Sequence, residues 1–223
     1  MKSVIYKTAF LFFYVLSSSL SFAGTWTDDF SDEILSHHWR GNRENFSIVD
    51  GKLQGVNAHP ILLLPLKWIE IGENWDNYTV ECRINVVTPN LLECTKGALV
   101  LRHKGGEGYI FALHIATKTV EVFRLSNGEM LLSKEEPLEL ETWYNVRAEL
   151  QDDKMSFFLD DKLIGRISDK RVLSGSVGLA VQDVLSVLFD YIKVTGPGIE
   201  PNSTSVSIKK LPITWAYIKR QAI

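Results

Sequence analysis

The stretch Asn77-Tyr78-Thr79-Val80-Glu81-Cys82-Arg83-Ile84-Asn85-Val86-Val87-Thr88 alternates apolar with polar side chains. Successive Cβ atoms of an extended chain point to opposite faces, so a period of two marks a strand with one face in a core. Val80, Cys82, Ile84 and Val86 fall on the apolar side; Thr79, Glu81, Arg83 and Asn85 fall on the other. Outward from this segment the texture recurs in Gly97–His103, Tyr109–Ala116, Thr119–Leu125, Met130–Lys134 and Trp143–Leu150. It continues in Met155–Leu159, Lys162–Ser168, Val177–Gln182 and Ser186–Thr195. Turn residues separate the runs: Thr117-Lys118, Ser126-Asn127-Gly128, Gln151 to Lys154 and Asp160-Asp161. Short, regularly spaced strands predict an all-β fold, two antiparallel sheets stacked as a sandwich over residues 24–196. Ile61–Leu66, which carries Pro65, reads as a strand or an edge segment.

Composition narrows the class. A net charge of -3, with no Lys/Arg run longer than Lys209-Lys210, lacks the basic footprint that phosphate binding needs and argues against nucleic acid. At the N-terminus Lys2 and Lys7 precede an apolar core, Ala9 to Leu16, and Ser21-Phe22-Ala23 supplies small residues. This pattern predicts a signal peptide over 1–23 and a secreted or periplasmic location. The apolar run is shorter than the roughly 20 residues that cross a bilayer, and no later one reaches that length, so no transmembrane anchor is expected after cleavage. Pairing Val86 or Val87 with Gly97 or Ala98 as a hairpin sets Cys82 opposite about Arg102, with Cys94 near the turn, roughly 25 Å away at about 3.3 Å per residue. A disulfide needs Cα atoms within about 7 Å, so two free thiols are expected. After Gly196-Pro197-Gly198 the chain reads as a linker and short tail over 197–223. There Leu211-Pro212-Ile213-Thr214 matches part of a sortase signal, but Trp215 stands where that signal needs Gly.

Several motifs occur in a fixed order: Asp28-Asp29-Phe30-Ser31-Asp32 and Trp39; Val49-Asp50-Gly51-Lys52-Leu53; Gly97 to Arg102 before Gly108-Tyr109. Trp143-Tyr144-Asn145-Val146-Arg147, Phe158 to Leu163, Gly175 to Leu179 and Phe189 to Val194 follow. Over about residues 28–195 this order resembles bacterial concanavalin A-like/laminin G-like sandwich domains, and most of all the group named 3-keto-disaccharide hydrolases. The resemblance implies a jelly-roll sandwich and sugar-related chemistry. It also implies a structural calcium tying the first and last strands, with Asp190 and the backbone near Gly51 and Asp29 in matching positions. Arg102 stands where the family pattern places an Arg at a strand end.

The residues themselves leave the chemistry open. Retaining and inverting glycosidases use two facing carboxylates, and sandwich hydrolases of family 16 carry Glu-x-Asp-x-Glu on one strand. No such motif is present; Glu139-Leu140-Glu141 precedes a strand and reads as a solvated loop. His37-His38 are neighbours that in a strand face opposite ways and so do not share a metal. His114 alternates with Ile110 and Ala112, away from Tyr109, Phe111 and Leu113, while Arg102 and Arg124 interrupt apolar strands. A sheet face exposing Arg102, Tyr109, His114 and Arg124 suits a sugar, with Arg and His bonding hydroxyls and a ring packing on the apolar side; an ordinary wet sheet face fits the same pattern. Two functions follow as expectations: an exported module that recognises a glycan or an envelope or extracellular partner, or an enzyme cleaving 3-keto-disaccharides. A structural adhesion domain without a small ligand is the third.

Overall fold

A computed structural model describes residues 23–59, 65–90 and 94–201. The expected leader, most of Ile61–Leu66 and the tail beyond residue 201 lie outside the described residues. The described chain is strand almost throughout, with a single 3-10 turn at Arg43–Asn45. In order the strands are β1 (Ala23–Asp28), β2 (Arg40–Gly41), β3 (Phe46–Val49), β4 (Lys52–Asn57) and β5 (Lys67–Trp75). Then come β6 (Tyr78–Pro89), β7 (Lys96–Lys104), β8 (Glu107–His114), β9 (Thr119–Arg124) and β10 (Met130–Glu135). The last five are β11 (Trp143–Gln151), β12 (Lys154–Leu159), β13 (Lys162–Ser168), β14 (Gly175–Gln182) and β15 (Val184–Pro197).

They form two antiparallel sheets. One has the order β13-β12-β11-β6-β15-β4-β3, with β1 paired to the C-terminal part of β15; the other has the order β10-β9-β8-β7-β14-β5-β2. The alternation in β6 is realised: Val80, Cys82, Ile84 and Val86 are buried to 1% exposure or less. Across the interior they meet the inward rows of the second sheet, among them Leu99, Leu101, Phe111 and Leu179. Each such side chain contributes about 1.5–3 kcal/mol by leaving water, and this core is what holds the sheets face to face.

One expectation is corrected here. Residues 77–88 and 97–103 are not a hairpin, because β6 pairs with β11 and β15 while β7 pairs with β8 and β14. The two strands lie in opposite sheets and the connection between them crosses the sandwich. A strand with one apolar face is equally satisfied by a partner beside it or a sheet across from it, so periodicity could not choose. Both thiols are free; Cys82 is core, and burial pushes its pKa up.

The second sheet is apolar on its outer side too. Ala98, Val100, Ile110, Ala112 and Ala180 are buried there in a small separate cluster, packed by Leu66, Trp68, Phe123 and Leu125. The middle of that face is therefore filled, and polar groups stand at its two ends. Among the described residues no helix is long and apolar enough to cross a membrane.

Candidate functional site

A bulge decides which side chains reach the surface. Ser176 of β14 faces His103, and Gly178 faces Val100, so Leu101 and Arg102 on β7 stand against the single residue Val177. Arg102 takes φ +50 to make this step, a left-handed conformation uncommon in a non-glycine residue. Strict alternation would aim Arg102 outward beside Val100 and His103 inward. The bulge reverses them, as bulges re-aim side chains.

Arg102 is accordingly at 0% exposure. Its guanidinium donates to the carbonyl oxygens of Asp76 (2.6 Å), Asp152 (2.7 Å) and Val172 (3.4 Å). Its own N–H donates to the Tyr78 hydroxyl at 3.0 Å. Tyr109 is also buried, and its hydroxyl accepts from the Val172 N–H at 3.4 Å. Arg124, the register partner of Tyr109, bonds Asp169 at 2.8 Å and pairs with Glu129. Three of the four expected ligand residues thus converge on the segment Asp169–Val172, Arg102 and Tyr109 from inside and Arg124 from a partly buried position, each engaged by protein partners. The fourth, His114, is on the outward face as alternation required, yet only 7% exposed. Its Nδ1 lies 2.8 Å from Glu121, whose other oxygen is 3.2 Å from Lys96. The expected open face of Arg102, Tyr109, His114 and Arg124 is not formed.

Burial raises the Glu121 pKa, but the His114 hydrogen bond and the Lys96 charge outweigh it and bring it down from 4.5 to about 2. A lowered carboxylate pKa stabilises the fold fully above the unfolded value and loses that contribution as pH falls towards the folded one. Glu121 is expected to contribute about 2–3 kcal/mol at pH 7, lost between pH 4.5 and 2. Urea unfolding at a series of pH values checks this: Glu121→Gln should be less stable at pH 7 and show a flatter acid limb than the wild type.

The expected calcium set does not fit either. Asp190 places one oxygen 2.9 Å from Lys52 Nζ and the other 3.1 Å from Arg83 Nη1, and both cations hold its pKa down. One carboxylate against two cations leaves the cluster net positive, and Lys52 and Arg83 repel a further cation. Asp29 accepts from the Ser31 N–H, and Gly51 sits in an open turn. Among the described residues no cluster of three His, Cys, Asp or Glu side chains is placed to hold a metal.

The open site lies at the β2–β5 end of the second sheet. Trp75 pairs with Gly175 and Ile71 with Val177, so Gly72-Glu73-Asn74 on β5 bulge out against Ser176 alone. Gly72 has φ +69, and a Cβ there would lie 2.5 Å from the Trp75 ring; only glycine lets the indole settle over this bend. The bulge separates two depressions, and Glu73 and Asn74 line both. The larger, about 990 Å³, is walled by the half-buried rings of Trp26 and Trp75, with His37, His38, Arg40 and Asp76 around it. Trp26 is held from below by the buried Trp39, edge to face at 5.7 Å. His37 and His38 occupy a turn, not a strand, and their rings lie 4.1 Å apart on the cleft wall.

The smaller depression, about 340 Å³, holds His103 and Glu70. His103 Nδ1 is hydrogen-bonded to Glu70, and its ring meets Trp68 edge to face at 5.4 Å. Burial raises the Glu70 pKa, but the bond and charge of His103, with Arg40 next to them, bring the net value below normal. Glu70 is therefore a carboxylate that fixes the imidazole. Arg40 bridges the two depressions, 3.0 Å from Glu73 and donating to the Gly72 carbonyl at 2.7 Å. Lys104 holds Asn74 at 2.9 Å. Of these residues, the sequence singles out Trp39 and the His37-His38 pair and reaches His103 only as the end of a strand. The available signal was Gly72-Glu73-Asn74, a turn-like triplet inside a strand pattern.

No family model matches the chain, and no curated protein is similar in sequence. Solved structures are similar in fold. The carbohydrate-binding module CBM66 from Bacillus subtilis has a TM-score of 0.62 at 21% identity, covering 72% of this chain and 98% of that one. A protein of unknown function with a galectin-like fold, also from Bacillus subtilis, has 0.61 at 11% identity, covering 76% and 94%. The xylan beta-1,4-xylosidase from Bacillus halodurans C-125 has 0.59 at 17% identity, and the match covers 76% of this chain but 39% of that enzyme. At these identities the likeness is one of architecture, and the chain is a two-sheet β-sandwich of the concanavalin/jelly-roll kind.

Proposed function

We propose that this domain recognises carbohydrate outside the cytoplasm and holds a glycan in the cleft of Trp26 and Trp75. The observation that carries the reading is the pair of half-buried indoles in one open cleft, with Arg40, Glu73 and Asp76 at its edge. Aromatic faces pack on the C–H side of a sugar ring, and a few fixed polar groups bond its hydroxyls. A shared fold with a carbohydrate-binding module supports this reading, and the N-terminal Lys-apolar-Ala23 pattern supports export.

A neutral-glycan array followed by calorimetry tests it. Trp75→Ala should lower affinity by about tenfold or more, on the order of 1.4 kcal/mol, while circular dichroism stays that of a β-sandwich. An array on which the wild type binds no glycan ends the reading. A second reading, cleavage of 3-keto-disaccharides, draws on the imidazole of His103 held by Glu70, since an oriented imidazole acts as a base. Release of monosaccharide from such a substrate by the same preparations is the result it requires.

A further inference from the structure

The two depressions are separated by three residues of one bulge, and this arrangement says something about ligand size. Each volume, about 990 and 340 Å³, lies within or near the roughly 300–1,000 Å³ of single-ligand sites. They differ in character: the larger is walled by Trp26 and Trp75, while the smaller is lined by polar groups around His103, whose ring is backed by Trp68. Both share the polar partition of Glu73 and Asn74, which Arg40 and Lys104 hold in place.

In the smaller depression His103 is positioned to act on a ligand. Nδ1 is taken by Glu70, and among the described residues no protein atom bonds Nε2. Two contacts restrain the ring, the hydrogen bond to Glu70 and the edge-to-face packing on Trp68. A fixed imidazole nitrogen facing a pocket is a hydrogen-bonding group for a hydroxyl and loses little entropy on binding.

Charge narrows the ligand. The two linings carry four carboxylates, Glu70, Glu73, Asp76 and Glu200, against the cations Arg40 and Lys104. An excess of negative charge disfavours a ligand that brings carboxylates of its own.

From this geometry we infer two adjoining subsites for one uncharged oligosaccharide of at least two units. One unit packs on Trp26 and Trp75, the chain crosses the Glu73–Asn74 partition, and the next unit bonds His103. The inference rests on the carbohydrate reading above and adds chain length, charge and the role of His103 to it.

Calorimetry on the full chain with gluco-, xylo- and fructo-oligosaccharides of one to four units tests it. The expected result is an affinity gain of about tenfold from one unit to two, with little more beyond three. His103→Ala should reduce that gain to less than about twofold, and Glu70→Gln, which keeps the side-chain shape, should reduce it in part. Trp75→Ala should weaken every length by a similar factor. A disaccharide bearing a uronic acid should bind least. Equal affinity at all lengths in the wild type, a full gain retained in both His103→Ala and Glu70→Gln, or tightest binding of the acidic disaccharide would overturn the two-subsite inference and leave sugar recognition standing. Absence of binding to every sugar in the series would overturn both.

Discussion

Arg102→Met is expected to lower the unfolding free energy by about 3–4 kcal/mol, seen in urea as a shifted midpoint with an unchanged slope. Methionine fills nearly the same volume, so little cavity is made. What is lost is a set of donors. The carbonyls of Asp76, Asp152 and Val172 come from three separate connections, β5–β6, β11–β12 and β13–β14, and one guanidinium ties all three. A buried acceptor left without its donor costs about 1–3 kcal/mol. The outcome is below the sum of three such costs because Asp76 and Asp152 are exposed residues whose carbonyls water reaches in part. Glycan affinity of the folded protein should change by less than about threefold. An Arg102→Met protein that kept its stability and lost its ligand would show instead that the guanidinium serves the site.

Trp39→Ala is expected to cost about 3–5 kcal/mol, the range for deleting a buried aromatic side chain. Trp39 is 1% exposed, packs edge to face on Trp26, and lies tilted against Phe30 at 6.2 Å. Its Nε1–H donates to Asp28 at 2.8 Å. Burial already raises the Asp28 pKa, and the Trp39 bond is the largest influence opposing that rise. Removing the indole empties the space beneath Trp26 and leaves the half-buried Asp28 carboxylate with the Phe30 N–H but without its side-chain donor. Thermal unfolding should show the loss directly. Trp39→Phe keeps most of the packing and should cost about 1–2 kcal/mol through the missing hydrogen bond. If Trp39→Ala unfolded at the wild-type temperature, this end of the sandwich would not depend on the indole stack.

These two residues show how far the amino-acid pattern could be read. Trp39 belongs to a motif whose order pointed to the sandwich, and its burial agrees. Arg102 belongs to another, and its strand was placed to within a residue at each end. Its direction was not. One extra residue between Val100 and His103 exchanges inside for outside, and nothing local in Leu101-Arg102-His103 announces it. The strands β11, β12 and β13 were legible with their turns because hairpin partners are neighbours in the chain and turn chemistry is local. β6 and β7 were misjudged as a hairpin because pairing across sheets is a long-range choice.

Period-two alternation and turn residues were enough to specify an all-β sandwich with Val80, Cys82, Ile84 and Val86 inside it. Each of those signals is carried by residues a few positions apart. The two depressions needed the folded chain: β1, β2, β5, β7, β14 and the segment after β15 meet there, and sheet order sets their adjacency. The bulges at Arg102 and at Gly72–Asn74 then choose which side chains line it. That choice is settled by partners far away in sequence, the acceptor carbonyls around Arg102 and the β14 residue Ser176 opposite the Gly72–Asn74 bulge, so it is a property of the packed whole.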